Sequence, residues 1–128
     1  PPDVSQKGKK IMEKILIIDD NDCIRAMLKF LLNEYEVLEA KDGETGLATL
    51  KKEKEIKLVI TDYQLPGIDG LEIIKWLKVH RPEMAIVLIS ACTKIIVGAK
   101  KLEIEHAFPK PFQDTDHVLK EINRIMGR

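Results

Sequence analysis

Apolar residues recur along the chain in two rhythms. Continuous runs rich in Ile, Val and Leu occupy residues 14–18 (KILII), 57–61 (KLVIT) and 85–90 (AIVLIS), as expected of parallel strands covered on both faces. Two further stretches, YEVLEA at 35–40 and a short HAF at 106–108, complete five predicted strands. Between them the spacing becomes helical. Ile24, Met27, Leu28, Leu31 and Leu32 form an i, i+3, i+4, i+7, i+8 stripe, with Asp22 as its expected N-cap. Leu47 with Leu50, then Leu71, Ile74 and Leu77, then Val118, Leu119, Ile122 and Ile125 repeat the pattern. Residues 93–105 are the weakest segment, because KIIVGAKK is a short helical pattern with a glycine inside it.

Strands alternating with helices make a parallel sheet with helices on both faces and right-handed connections. The fold class predicted is α/β, a doubly wound five-stranded sandwich. A chain of 128 residues fits one such domain and buries a core without staples. Pro1 to Lys10, PPDVSQKGKK, is polar and opens on two prolines. Residues 1–12 therefore read as a linker or the edge of an excised segment, and 13–128 as the domain.

Charge changes the picture only locally. Lys plus Arg and Asp plus Glu both number 21, so there is no global pull toward nucleic acid or an anionic membrane. No apolar stretch approaches the roughly 18 residues of a spanning helix. Cys23 and Cys92 lie far apart and outside any CxxC pattern, which predicts small buried thiols in a reducing compartment. The expected location is cytoplasmic, with no membrane partner.

In open parallel sheets, sites gather at the carboxyl ends of the strands beside the topological switch point. Here those ends carry Asp19 and Asp20, then Asp62, then Ser90, then Lys110 between two prolines. Each has an ordinary structural explanation: helix capping for the acids of IIDDND, turn formation around Pro66, Gly67 and Gly70, backbone bonding for a serine. Their convergence on one crevice favours a shared role. Two or three aspartates supply the oxygen donors that Mg²⁺ prefers. A lysine and a hydroxyl suit phosphoryl oxygens. A free Asp titrates near 3.9, so Asp62 is a ready nucleophile without a general base. His80, His106 and His117 are expected on helix or loop segments facing solvent, away from the chemistry.

ILIIDDND, VITDYQLPGIDGLEII, VLISA and PKPF, in this order over nearly all of residues 13–128, resemble the receiver domain of two-component response regulators. The resemblance implies a flavodoxin-like fold with strand order 2-1-3-4-5. It implies Asp62 as phosphoacceptor from the phosphohistidine of a sensor histidine kinase or a phosphotransfer protein. Asp20 and Asp62 would bind Mg²⁺ directly, Asp19 through water, and Gln64 through its backbone carbonyl. Ser90 would be the hydroxyl that swings toward the phosphoryl group and Lys110 its ionic partner, with the Lys110–Pro111 peptide cis. Such a domain assists its own phosphorylation and dephosphorylation and has no independent turnover substrate.

One position departs from the family pattern. Receivers usually carry an aromatic residue three before the lysine, and here that switch position is Ala107; Phe108 beside it is expected on the opposite face of the strand. The expectation is that the phosphorylation signal is read through residues 91–105 and not through an aromatic flip. Two other functions fit the pattern less well. A receiver used only for docking or dimerisation through the last helices and strand five would not need the complete acid, hydroxyl and lysine set. A flavin binder would want a phosphate-cradling loop after the first strand, where DDNDC is instead negative. The expected target is a downstream protein or an attached output domain, with no direct nucleic-acid binding, and the chain reads as a single-domain regulator or a receiver from a longer protein.

Overall fold

The computed structural model describes residues 12–128, so all but the last residue of the proposed linker lies outside the described part. The strands are β1 (Lys14–Ile18), β2 (Glu36–Ala40), β3 (Ile56–Asp62), β4 (Ala85–Ser90) and β5 (His106–Pro109). The helices are α1 (Asp22–Leu31), α2 (Gly43–Lys52), α3 (Gly70–His80), α4 (Thr93–Val97) and α5 (Thr115–Ile125), and a 3₁₀ turn at Gly98–Leu102 follows α4. All pairings are parallel and the order is β2-β1-β3-β4-β5. The weakly patterned 93–105 segment thus yields only five α-helical residues before it tightens into 3₁₀ geometry.

Alternation along each strand divides the core in two. Leu16 and Ile18 join Leu50, Ile73, Ile74 and Leu77 beneath α2 and α3. Ile15 and Ile17 join Leu28, Leu32, Val118 and Ile122 beneath α1 and α5. Both sets are almost fully withdrawn from water, which is why the central strands are uninterrupted apolar runs. Ala107 and Phe108 follow the same rule: Ala107 packs on the α2 and α3 side, whereas Phe108 is buried on the α1 and α5 side and meets the His117 ring edge-on at 6.0 Å.

Three local expectations are corrected. Asn21, not Asp22, caps α1: its side-chain oxygen accepts from the backbone of Cys23 and Ile24 at 2.8 and 3.0 Å. Asp22 is already helical and pairs with Arg25 one turn on, where an acid also suits the positive end of the helix dipole. The thiols are not buried; Cys23 is exposed on α1 and Cys92 is half-buried ahead of α4. His80 and His117 do face solvent, but His106 opens β5 and is half-buried.

Candidate functional site

Strand register brings the site together. Ile18 pairs with Thr61, Asp62 with Ile89, and Ser90 with Pro109, so β1, β3, β4 and β5 end at one level. The residues that follow each apolar run therefore emerge side by side at the carboxyl edge. Asp19 and Ser90 are completely or almost completely buried, Asp62 is 5 % exposed, and Asp20 faces solvent. One carboxylate oxygen from each of Asp19, Asp20 and Asp62 lies within 4.8 Å of the others.

Asp19 is held through all of its polar atoms. Its N–H donates to the Ala40 carbonyl at 3.1 Å, and its own carbonyl accepts from Arg25 Nη1 at 2.7 Å. Oδ1 accepts from the Asn21 N–H at 2.8 Å and Oδ2 from Lys110 Nζ at 3.0 Å. Lys110 also donates to Asp62 Oδ2 at 2.8 Å, and its backbone N–H is fixed on the Ser90 carbonyl at 2.8 Å. The Lys110–Pro111 peptide is cis. Asp62 Oδ1 faces the Gln64 N–H at 3.4 Å, and the Ser90 hydroxyl accepts from the Cys92 N–H at 3.0 Å.

The loop after β3 folds back tightly against the backbone of Asp62 and Tyr63. A Cβ on Gly70 would come within 2.2 Å of the Asp62 carbonyl oxygen, and Gly70 N–H donates to Tyr63 at 2.8 Å. Gly67 adopts φ 70°, which an L side chain resists. Glu44 from α2 accepts from the Ile68 N–H at 3.2 Å and secures the loop from the side.

Two titrations are displaced. Burial raises the Asp62 carboxyl and neighbouring Asp19 adds to this, against the opposing effects of Lys110 and the Gln64 N–H. Burial draws the Lys110 ammonium down, but its bonds to Asp62 and Asp19 outweigh that and leave it raised. The site is thus a half-buried cation shared by two buried acids, with a third acid at the mouth. An all-oxygen trio of carboxylates is the donor set of a hard divalent cation, and it fits Mg²⁺.

Of the residues singled out from sequence, Asp19, Asp20, Asp62 and Lys110 meet directly, and Ser90 and the Gln64 backbone border them. Ala107 and Phe108 belong to the two cores and not to this cluster. Sequence reading missed Arg25, which braces the Asp19 carbonyl and pairs with Glu39 at 3.2 Å, linking α1 to β2. Its only signal was the i, i+3 relation to Asp22.

A parallel sheet in this order with an acid trio and a lysine at its carboxyl edge defines a phosphoacceptor-type signalling domain. The sequence profile of the response regulator receiver domain matches residues 15–123, and the chain belongs to that family. It is 33% identical over 118 residues to sporulation initiation phosphotransferase F of Bacillus subtilis, covering 89% of this chain and 94% of that protein. It is 30% identical over 122 residues to a chemotaxis protein CheY homolog of Campylobacter jejuni, covering 89% and 92%. Among solved structures, a response regulator receiver domain protein from Clostridium thermocellum superposes with a TM-score of 0.81 at 30% identity, covering 91% of this chain and 96% of that one. The response regulator TrrA from Thermotoga maritima, solved in complex with Mg(2+)-BeF, superposes with a TM-score of 0.79 at 28% identity, covering 89% and 99%. The chain is accordingly a receiver domain of two-component signalling with the flavodoxin-like fold. No helix among the described residues is long and apolar enough to cross a membrane.

Proposed function

We propose that Asp62 is the phosphoacceptor and that Asp19, Asp20, Asp62 and the Gln64 carbonyl form the Mg²⁺ site. The observation that carries this reading is the half-buried lysine shared between Asp19 and Asp62 beside an exposed Asp20. A carboxylate oxygen of Asp62 attacks phosphorus; the new O–P bond forms as the P–N bond of the donor phosphohistidine breaks, and the imidazole departs with the bonding pair. Lys110 Nζ already touches the attacking carboxylate and is within reach of the phosphoryl oxygens it comes to carry. The Ser90 hydroxyl, released from its bond to the Cys92 N–H, turns to donate to another. Bound Mg²⁺ supplies charge neutralisation for the incoming phosphoryl group. The exposed Gln64 side chain, two residues beyond Asp62, is placed to tune the loss of the acyl phosphate.

The donor is a sensor histidine kinase or a phosphotransfer protein in the cytoplasm, and the receiver acts on a downstream protein or an attached output domain. The reading is tested by incubating the chain with acetyl phosphate and Mg²⁺ and measuring intact mass. A gain of one phosphoryl group that disappears in Asp62→Asn is expected. A gain that persists in that variant overturns the assignment.

A further inference from the structure

The face formed by α3 and the 3₁₀ turn after α4 lies apart from the phosphoacceptor site and has no role in the chemistry above. Between them runs an open groove of about 490 Å³. Its floor is apolar: Leu71 and Ile74 from α3, with Leu102 from the 3₁₀ turn, and Val79 at one end, which is 75 % exposed. A solvent-facing valine at the mouth of an apolar groove is surface that a partner would cover.

The rim is basic in a chain whose overall charge is zero. Lys75, Lys78 and Lys101 line the groove against a single acid, Glu103. The segment 93–102 also carries Lys94 and Lys100 and contains no acid. The groove is also preformed. Lys78 Nζ donates to the Glu103 carbonyl at 2.8 Å, which ties α3 to the end of the 3₁₀ turn, and Glu103 is held at φ 60° by this arrangement and by its own N–H bond to Lys100. The ammonium keeps two further donors for a ligand.

We propose that this groove docks an acidic amphipathic helix of two to three turns, with its leucine-type residues on the floor and its carboxylates against Lys75, Lys78 and Lys101. From Leu71 to Val79 α3 rises about 12 Å, which sets the length of the occupant. An apolar stripe at i, i+3, i+4, i+7 is how helices occupy such grooves. The opposite wall continues the segment that opens at Ser90, whose hydroxyl holds the Cys92 N–H immediately before α4. Use of the groove as an output surface rests on the phosphoacceptor reading, whereas docking itself does not.

The test is a titration of the full chain with a labelled synthetic twelve-residue peptide carrying leucines at those spacings and glutamates elsewhere. Fluorescence anisotropy reports binding, and backbone amide shifts report its place. Binding with shifts confined to residues 71–79 and 98–104, weakened by salt, supports the proposal. So does a loss of about tenfold in affinity in Lys75→Glu/Lys101→Glu, a size expected for two rim charges reversed. Val79→Ser, which alters only an exposed side chain, should weaken binding while leaving the unfolding midpoint unchanged. Equal binding of the lysine-for-glutamate peptide, shifts elsewhere on the surface, or displacement of the peptide by a short DNA duplex overturns it. A chain that gains a phosphoryl group on Asp62 yet fails these tests loses only the groove; one that passes them without that gain loses only the signalling role.

Discussion

Replacing Asp62 by Asn should stabilise the protein in the absence of divalent metal. At an effective dielectric of about 20, Lys110 Nζ at 2.8 Å attracts the Asp62 carboxylate by about 6 kcal/mol. The Asp19 carboxylate within 4.8 Å repels it by about 3 kcal/mol, and solvent-facing Asp20 adds about 1 kcal/mol when screened as in water. Removing the charge forfeits the attraction, relieves both repulsions and recovers the cost of burying a carboxylate, which is several kcal/mol. The balance favours Asn by about 1–2 kcal/mol, in agreement with the raised Asp62 titration, whose leading cause is burial. Mg²⁺ bound at the proposed site would act the other way. At ten times its dissociation constant it stabilises the wild type by about 1.4 kcal/mol, and less for a variant with one carboxylate fewer. Urea unfolding at pH 7, with EDTA and then with increasing Mg²⁺, should show the variant ahead at first and the gap closing. A variant less stable than wild type by more than about 1 kcal/mol in EDTA, at equal m-value, would refute the charge balance.

Further outcomes follow from single contacts. Lys110→Ala leaves Asp19 and Asp62 buried without their cation, so it should lose about 3 kcal/mol in EDTA and regain part of it with Mg²⁺ in the same unfolding assay. Gly70→Ala drives a methyl against the Asp62 carbonyl; a loss of about 1–3 kcal/mol should accompany slower phosphoryl uptake from acetyl phosphate, measured by mass. The Asp42 carboxyl is held low, first by the backbone N–H of Thr45, which it caps. A carboxyl lowered in the fold stabilises above its unfolded value and loses that contribution as pH falls through the folded one, so Asp42→Asn should flatten the acid limb of a stability-against-pH curve.

The sheet was legible because β1, β3 and β4 are buried on both faces and cannot be anything but apolar runs. β5 showed as little more than three residues, and its place at the edge came from the resemblance. The acids and lysine of the site were legible for a related reason, since each directly follows or ends a strand. What stayed hidden depends on geometry across elements. IIDDND offers three acids and an amide as caps, and only the turn of the backbone makes Asn21 the one whose oxygen reaches the free N–H groups. Arg25 looks like any helical surface cation until its reach to the Asp19 carbonyl is seen. The buried-thiol expectation for Cys23 failed because that position faces outward on α1, away from the stripe of Leu28 and Leu32.

The way the chain holds Asp19 has a consequence for how tightly the site can discriminate among cations. Every polar atom of that residue is already committed to a partner in the protein, so its rotamer is chosen before anything arrives. Among the described residues of the trio only Asp20 stands free at the mouth, and the entropy lost on binding a cation there would fall almost wholly on its side chain. At the proposed site the two protein-held acids, Asp19 and Asp62, would set the position of a cation while Asp20 adapts to its radius, so selectivity by size would rest chiefly on that adjustable side chain.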